Sequence, residues 1–202
     1  MIRFKKIKWK NFLSTGDQWT EVKLNDDGTT LIVGANGAGK STVLDAICFV
    51  LFNKPYRKIT KSQLVNTTNE KGTETEIEFE IGSKQYLVRR GIKPNIFDIE
   101  IDGNMRNKEA DDRVNQKVLE EQILKLNFKS FTQIVILGSS NFIPFMQLNG
   151  PNRREVIEDL LDIKIFSAMN NIVRDKLRVV KDSVRTLDLK KDNLHDKVRM
   201  QE

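Results

Sequence analysis

Cysteine and histidine are almost absent from this chain of 202 residues, with one of each. Cys48 has no partner, which excludes a disulfide framework; a lone thiol inside an apolar stretch reads as core filler in a reducing compartment. No uncharged run approaches the ~20 residues of a membrane span, so no membrane partner is expected. The opening Met1-Ile2-Arg3-Phe4-Lys5-Lys6 leads into an alternating strand and not into a secretion signal. These absences point to the cytoplasm or a nucleus. A large excess of one charge is missing too. The net +6 divides evenly between residues 1–164 and 165–202, so charge alone gives only weak support for nucleic-acid binding.

What is present is a phosphate-binding signature. Gly34, Gly39, Lys40 and Ser41 fit G-x-x-x-x-G-K-[ST]. Leu31, Ile32 and Val33 read as a short buried strand, and apolar residues continue from Val43 to Phe52 at helical length. Strand, glycine loop and helix are the order in which this motif works. Phosphate oxygens must approach backbone N–H groups, so the loop around Asn36, Gly37, Ala38 and Gly39 needs positions without Cβ. A helix beginning near Gly39 then aims its first N–H groups and positive dipole end at the same anion. Lys40 adds charge for the β- and γ-phosphates as the catalytic residue, Ser41 is placed to ligate Mg²⁺, and Thr42 can donate to the α-phosphate. The expected cofactors are ATP and Mg²⁺.

Around this motif the alternation is mostly that of antiparallel strands. Ile2, Phe4, Ile7 and Trp9 interleave with lysines, suggesting a first strand with a bulge between Phe4 and Ile7 and a solvated basic face. Val22 and Leu24 belong to a second strand. Residues 74–81 and 85–90 form a hairpin at Gly82-Ser83, whose glutamates can pair with Arg89 and Arg90. A third alternating strand, 95–102, closes at Asp102-Gly103. This is an added β-layer, unlike the parallel sheet of a small kinase. The helix after the loop is apolar nearly all round and must be covered on several sides. Asp45, its polar exception, reads as an acid tied to neighbouring backbone or to a basic side chain. Two acid-free clusters supply DNA-binding candidates, Arg57, Lys58 and Lys61, then Arg89, Arg90 and Lys93, against the alternative of solvated or internally paired charges.

Further on, Lys108–Leu126 reads as a helix. Residues 131–137 read as an apolar strand running into Gly138-Ser139-Ser140-Asn141, a plausible second contact for nucleotide. Pro151 opens another helix, with Val156, Leu160 and Leu161 on its face. Val173, Leu177, Val180, Val184, Leu187, Lys191, Leu194 and Val198 then recur at alternating steps of four and three, the seam of a coiled coil. The expected organisation is an α/β P-loop lobe over 1–163 and the start of a coiled coil over 164–202. No cap closes the repeat, so a longer chain or a partner strand from elsewhere is expected.

The chain also lacks an apolar strand ending in Asp to hold Mg²⁺ and position water, and a phosphate-reading S-G-G loop. The one histidine, His195, lies in the coil. The site as written binds nucleotide without being equipped to finish hydrolysis. Two other readings stay open: a self-contained small-molecule P-loop kinase or nucleotidase with a helical oligomerisation tail, and a coiled-coil scaffold whose nucleotide is structural.

Four segments together carry a resemblance: K-N-F-L-S at 10–14, G-A-N-G-A-G-K-S-T-V-L-D-A-I at 34–47, Y-L-V-R-R at 86–90, and N-F-I-P-F-M followed by R-R-E-V-I-E-D-L-L at 141–161. In these the chain resembles the N-terminal lobe of the SMC-like double-strand-break-repair ATPases, the Rad/SbcC family, most closely its T-even phage branch. The resemblance implies an ABC-type head split by a long antiparallel coiled coil, whose returning strand brings a C-terminal lobe with the missing aspartate, signature loop and histidine. It implies a homodimer of heads closing on ATP, a DNA partner, a nuclease subunit contacting the root of the coil, and residence in the host cytoplasm for a phage protein. By position, Asn36 would approach the γ-phosphate, and Arg153 and Arg154 could sense head closure. The family often carries Arg where this chain has Leu13, so a basic contact is either lost or supplied from elsewhere, with Lys10 as the candidate. The family's Q-loop glutamine falls at Ser139, with Asn141 the nearest amide, and these two are its stand-ins.

Overall fold

The computed structural model describes residues 2–24, 28–106, 111–136, 143–161 and 163–200. They divide into two compact units, Met1–Val156 and Ile157–Glu202.

In the first unit the alternating segments form one antiparallel sheet. Its strands are β1 (Ile2–Lys10), β2 (Thr20–Lys23), β3 (Thr73–Ile81), β4 (Lys84–Ile92), β5 (Ile96–Ile101) and β6 (Asn104–Met105), in the spatial order β2-β1-β3-β4-β5-β6. The register between β1 and β3 slips between Phe4 and Lys6, leaving Lys5 as the extra residue of a bulge, as the spacing of apolar residues in β1 suggests. Side-chain period two then divides the sheet into an apolar and a charged face. Ile7, Trp9, Ile77, Phe79, Val88 and Ile99 are all buried on the apolar face.

The phosphate-loop helix α1 (Thr42–Phe52) packs on that face against β1, β3 and β4. Its apolar residues cover nearly the full circumference, and Val43, Ala46, Cys48, Phe49, Val50, Leu51 and Phe52 are buried. The second layer continues with α2 (Asp112–Lys117), which runs into a π-helical stretch, Val118–Leu124, and with α3 (Phe128–Ile134). Phe131 of α3 seals the end of the core between Phe52 at 5.1 Å and Phe4 at 6.0 Å. The strand expected at 131–137 is therefore a helix as far as Ile134. The Asn127 side chain accepts from the Ser130 amide and starts that helix, and the period-3.6 burial of Phe131 outweighs β-propensity.

The expected strand Leu31–Val33 is not formed either. The three residues are 84, 48 and 78% exposed, and among the described residues no strand offers them a ladder. A strand feeding a phosphate loop sits in a parallel sheet, and this sheet is antiparallel throughout.

The basic face of β1 is paired, not merely solvated. Lys6, Lys8 and Lys10 meet Glu78, Glu76 and Glu74 of β3 at 2.9, 2.6 and 3.2 Å, and Lys5 meets Glu80 at 2.8 Å. Glu76 also holds Arg89 of β4 at 2.8 Å. The Glu78 hydrogen bond raises the Lys6 ammonium above its ordinary value, and the Lys5 hydrogen bond lowers Glu80.

Helix α4 (Gly150–Leu160) begins one residue before Pro151. Of the residues assigned to its apolar face, the side chain of Val156 is buried, whereas Leu160 and Leu161 are exposed. In the second unit α5 (Lys164–Arg199) is a single helix of 36 residues, and the seam positions Val173, Leu177, Val180, Val184, Leu187, Leu194 and Val198 are all exposed.

Candidate nucleotide-binding site

A cleft of about 550 Å³ opens over the N-terminus of α1. Asn36, Gly37, Gly39, Lys40, Ser41 and Thr42 form its floor; Ala38 is the one residue of the expected loop set that does not line it. The loop needs glycine at two places for its backbone. Gly37 and Gly39 have φ of 86° and 87°, the left-handed region in which a side chain is strained. At Gly37 a Cβ would meet nothing within 4 Å, so conformation and not crowding excludes other residues there.

The start of α1 contributes Ser41 and Thr42 to this floor. Ser41 is the N-cap, yet its side chain makes no capping hydrogen bond, so the hydroxyl remains available to a ligand. The Lys40 Nζ donates to the carbonyls of Gly34 at 2.7 Å and Ala35 at 2.8 Å, folding the ammonium over its own loop. Glycine geometry, an unused hydroxyl and an ammonium at one helix end fit a phosphate chain with its Mg²⁺. Mg²⁺ is commonly held by one or two protein oxygens together with phosphate and water. Among the described residues no group of three or more His, Cys, Asp or Glu converges to make a cage of its own.

The walls come from two loops pinned to each other. Leu13 and Ser14 stand on one side, and Arg57, Gln63, Val65 and Thr67 on the other. Leu13 N donates to Leu64 O at 2.7 Å, and Phe12 bridges Val65. Asn66 Nδ2 donates to the carbonyls of Leu13 and Thr15, both at 3.0 Å, while Asn69 Nδ2 donates to Asn11 Oδ1 at 2.6 Å. The ties hold Asn11 and Leu13 at φ of 47° and 55°, a strained region tolerated where surrounding bonds over-determine it.

Asp45, one turn into α1, is fully buried. Its Oδ1 accepts from the amides of Tyr56 and Arg57 at 3.1 and 2.9 Å, and its Oδ2 from Arg57 Nε and Nη2, both at 2.6 Å. Both expected kinds of partner, backbone and basic side chain, are thus present. The consequence concerns Arg57. Grouped from sequence with the DNA candidates, it lies in the cleft wall. It is also the basic residue there, whereas Lys10 pairs with Glu74, stacks 4.9 Å from the Trp19 ring, and does not line the cleft.

The remaining DNA candidates are dispersed. Lys58 and Lys93 are exposed, and Arg89 is engaged by Glu76 on the charged sheet face. Lys61 is partly covered, 5.8 Å from the Phe49 ring; burial first, and then the Arg90 charge, lower its ammonium from the ordinary value. Arg90 is a correction. It is 4% exposed, its guanidinium donates to Val50 O at 3.1 Å and Gln116 Oε1 at 2.6 Å, and it lies 3.7 Å from the Phe97 ring, so it is no surface cation. Burial pulls it down to about 9, countered by Asp112 and Glu120. Ser139 and Asn141 lie outside the described residues. Gln63, Val65 and Thr67 were missed from sequence. The one local signal was Thr60-x-x-Gln63, a capping box in which Gln63 Oε1 accepts from the Thr60 amide at 2.7 Å.

A family model described as AAA domain matches residues 6–200. Exonuclease subunit 2 of Escherichia phage RB69 is 37% identical over 198 residues, covering 98% of this chain and 35% of the phage protein. The DNA double-strand break repair Rad50 ATPase of Thermoplasma volcanium is 26% identical over 199 residues, covering 96% of this chain and 22% of that protein. The chain thus spans about a third or less of the length of these relatives. Among solved structures, the Smc head domain with an extended coiled coil from Pyrococcus furiosus superposes with a TM-score of 0.55 at 22% identity, covering 94% of this chain and 49% of that one. This last likeness is one of fold.

Proposed function

The chain belongs to the AAA domain family, and from that premise we propose that it is the N-terminal half of an ATP-binding, DNA-associated SMC-like ATPase head that controls a partner nuclease in recombination and DNA end processing. The observation that carries the reading is the cleft floor: two left-handed glycines, an N-cap serine with an uncommitted hydroxyl, and Lys40 converging at one helix end. In this reading the backbone of Gly37–Gly39 and the start of α1 would bind the phosphates, Asn36 would serve the γ-phosphate, Thr42 the α-phosphate, and Ser41 would hold Mg²⁺. Bound ATP would supply the phosphoanhydride to be hydrolysed once the site is completed. Lys40 neutralises charge once its ammonium leaves the Gly34 and Ala35 carbonyls. Arg57, fixed by Asp45, adds a second positive group.

The lobe is proposed to extend over 1–163 and the coil to start at 164. The chain's own C-terminal lobe and a second head would complete the site, with Ser139 or Asn141 standing in for the Q-loop glutamine. DNA and a nuclease subunit are the proposed macromolecular partners, and the host cytoplasm the proposed location. No helix among the described residues is long and apolar enough to cross a membrane. The antiparallel sheet favours this reading over a self-contained kinase.

The test is binding and turnover by the isolated chain. It should bind a fluorescent ATP analogue weakly, lose that binding in Lys40→Ala, and show negligible hydrolysis; robust turnover by the monomer would overturn the half-site. For DNA, the remaining surface candidates are Lys58, Lys61, Arg89 and Lys93, joined by Arg57 only where nucleotide leaves it free. Charge reversal at Lys58 and Lys61 should reduce the salt slope of binding by about two, as two phosphate contacts require. An unchanged slope removes them from the interface.

A further inference from the structure

Arg90 and Gln116 meet behind the phosphate loop, at the far end of α1. An α-helix leaves its last carbonyls without intrahelical donors, and these must be satisfied by other groups. In α1 the Phe49 carbonyl accepts from the Asn53 amide at 2.8 Å, where the chain turns through a left-handed residue. The next two carbonyls are held by side chains from other elements. Arg90 Nε of β4 donates to Val50 O at 3.1 Å, and Gln116 Nε2 of α2 donates to Leu51 O at 2.9 Å. Arg90 Nη2 also donates to Gln116 Oε1 at 2.6 Å, closing a ring of three elements. Gln116 Nε2 reaches Glu120 Oε1 at 2.6 Å, which ties the ring to the π-helical stretch. Stacking on Phe97 fixes the guanidinium plane.

We propose that Arg90 and Gln116 are positioning residues for the phosphate-binding loop: by holding the last carbonyls of α1 they set where Ser41 and Thr42, at its other end, stand in the cleft. The inference rests on the ATP-binding reading for its purpose, though not for its geometry. Apolar packing around α1 is non-directional and leaves rotation and sliding along the axis weakly determined. Directional bonds fix them from both ends, those of Asp45 near the start of the helix and those of Arg90 and Gln116 at its finish. The helix has 11 residues, about 16 Å at the usual rise, and behaves as a rod, so a shift at Val50 appears at Ser41. The guanidinium complements the negative end of the helix dipole. Lysine cannot replace it, since one ammonium lacks the planar fork that serves Val50 O and Gln116 together.

The test separates positioning from general stability by comparing Arg90→Lys and Gln116→Met with Ile99→Ala, a cavity in β5 of the same core. The readouts are amide hydrogen exchange at Ala38 and Thr42, the loop amides bonded to Ala35 O and Gly39 O, without nucleotide, the Kd for a fluorescent ATP analogue with Mg²⁺, and the melting temperature. Arg90→Lys and Gln116→Met should speed exchange in the loop about tenfold and raise Kd about fivefold, while Ile99→Ala, at an equal or larger fall in melting temperature, leaves both within about twofold. Loop exchange and Kd that track melting temperature alike in all three variants would overturn the proposal. If Arg90→Lys does not fold, Gln116→Met decides by the same criterion. Failure of the unaltered chain to bind nucleotide would count against the ATP reading, and the exchange comparison would still decide the positioning role.

Discussion

Replacing Asp45 by Ala tests the strongest polar anchor in the lobe. The carboxylate is fully buried and receives the amides of Tyr56 and Arg57 and two guanidinium nitrogens. The two contributions differ in size. A hydrogen bond to a charged group contributes about 1.5–3 kcal/mol, so losing two backbone bonds costs about 3–6 kcal/mol before relaxation. The Arg57 side chain is 42% exposed and rehydrates when released, which offsets part of its contribution, but its partner carboxylate is fully buried, so the small value of a surface ion pair does not apply. Relaxation of the 56–57 segment toward solvent brings the expected total to about 3–4 kcal/mol, a fall in melting temperature of roughly 6–15 °C for a protein of this size. Arg57→Ala should cost less than Asp45→Ala, because both backbone amides still donate to the buried carboxylate. The assay is urea unfolding followed by Trp9 fluorescence in a Trp19→Phe background, since Trp9 is 3% exposed and reports the sheet core without the exposed α5. A cost below about 1 kcal/mol for Asp45→Ala, or an equal cost for Arg57→Ala, would refute the claim that the backbone bonds dominate.

Lys40→Ala should leave the nucleotide-free melting temperature within a few degrees while abolishing the rise with Mg²⁺-ATP, which for binding at a hundredfold Kd is about 2.7 kcal/mol; a retained rise would place the phosphates elsewhere. Cys48 is fully buried and its thiol is pushed far up by burial and by Asp45, so Ellman's reagent should react only as the protein unfolds. Fast labelling under native conditions would contradict the packing around α1. Because its thiol keeps its proton in the fold, Cys48 also contributes a loss of stability as pH rises above the unfolded thiol value of about 8.5, absent in Cys48→Ala. Glu80 works in the opposite direction. Its carboxyl is held low chiefly by Lys5, so its contribution is full above the unfolded value of about 4.3 and fades as pH falls through the lower folded one. A Lys5→Met variant should therefore differ from the unaltered chain at pH 6 and converge with it in acid; a constant difference at all pH values would exclude the pair as its cause.

The sheet was legible because alternation and turn residues coincide. Five strands, the bulge after Phe4 and the Gly82-Ser83 hairpin follow from side-chain period two and glycine placement. The phosphate loop was legible because its chemistry admits few residues. Contacts between distant segments were not: composition does not show that Asp45, 12 residues earlier, fixes the exposed Arg57 in the cleft wall. Arg90 is the instructive case. It follows Tyr86 and Val88 at steps of two and so shares their buried face, while Arg89 faces out with Leu87; strand parity distinguishes two adjacent arginines that composition treats alike. Leu31–Val33 has a strand's composition but no neighbour among the described residues to pair with, and pairing is a property of the partner as much as of the segment.

The ion pairs between β1 and β3 have a limit as a source of specificity. Lys6, Lys8 and Lys10 recur every two residues, as do Glu78, Glu76 and Glu74, so sliding one strand past the other by two positions would still match opposite signs. Charge therefore selects which strands lie side by side, positive β1 between Glu21 of β2 and the glutamates of β3, without selecting their alignment. Alignment is decided on the opposite face, where Phe4 must meet Phe79 and Ile7 must meet Ile77, and by the single bulge that only one pairing accommodates. Neutralising all three lysines should thus relax the choice of neighbour, while altering Phe79 should produce slipped sheets with their salt bridges intact.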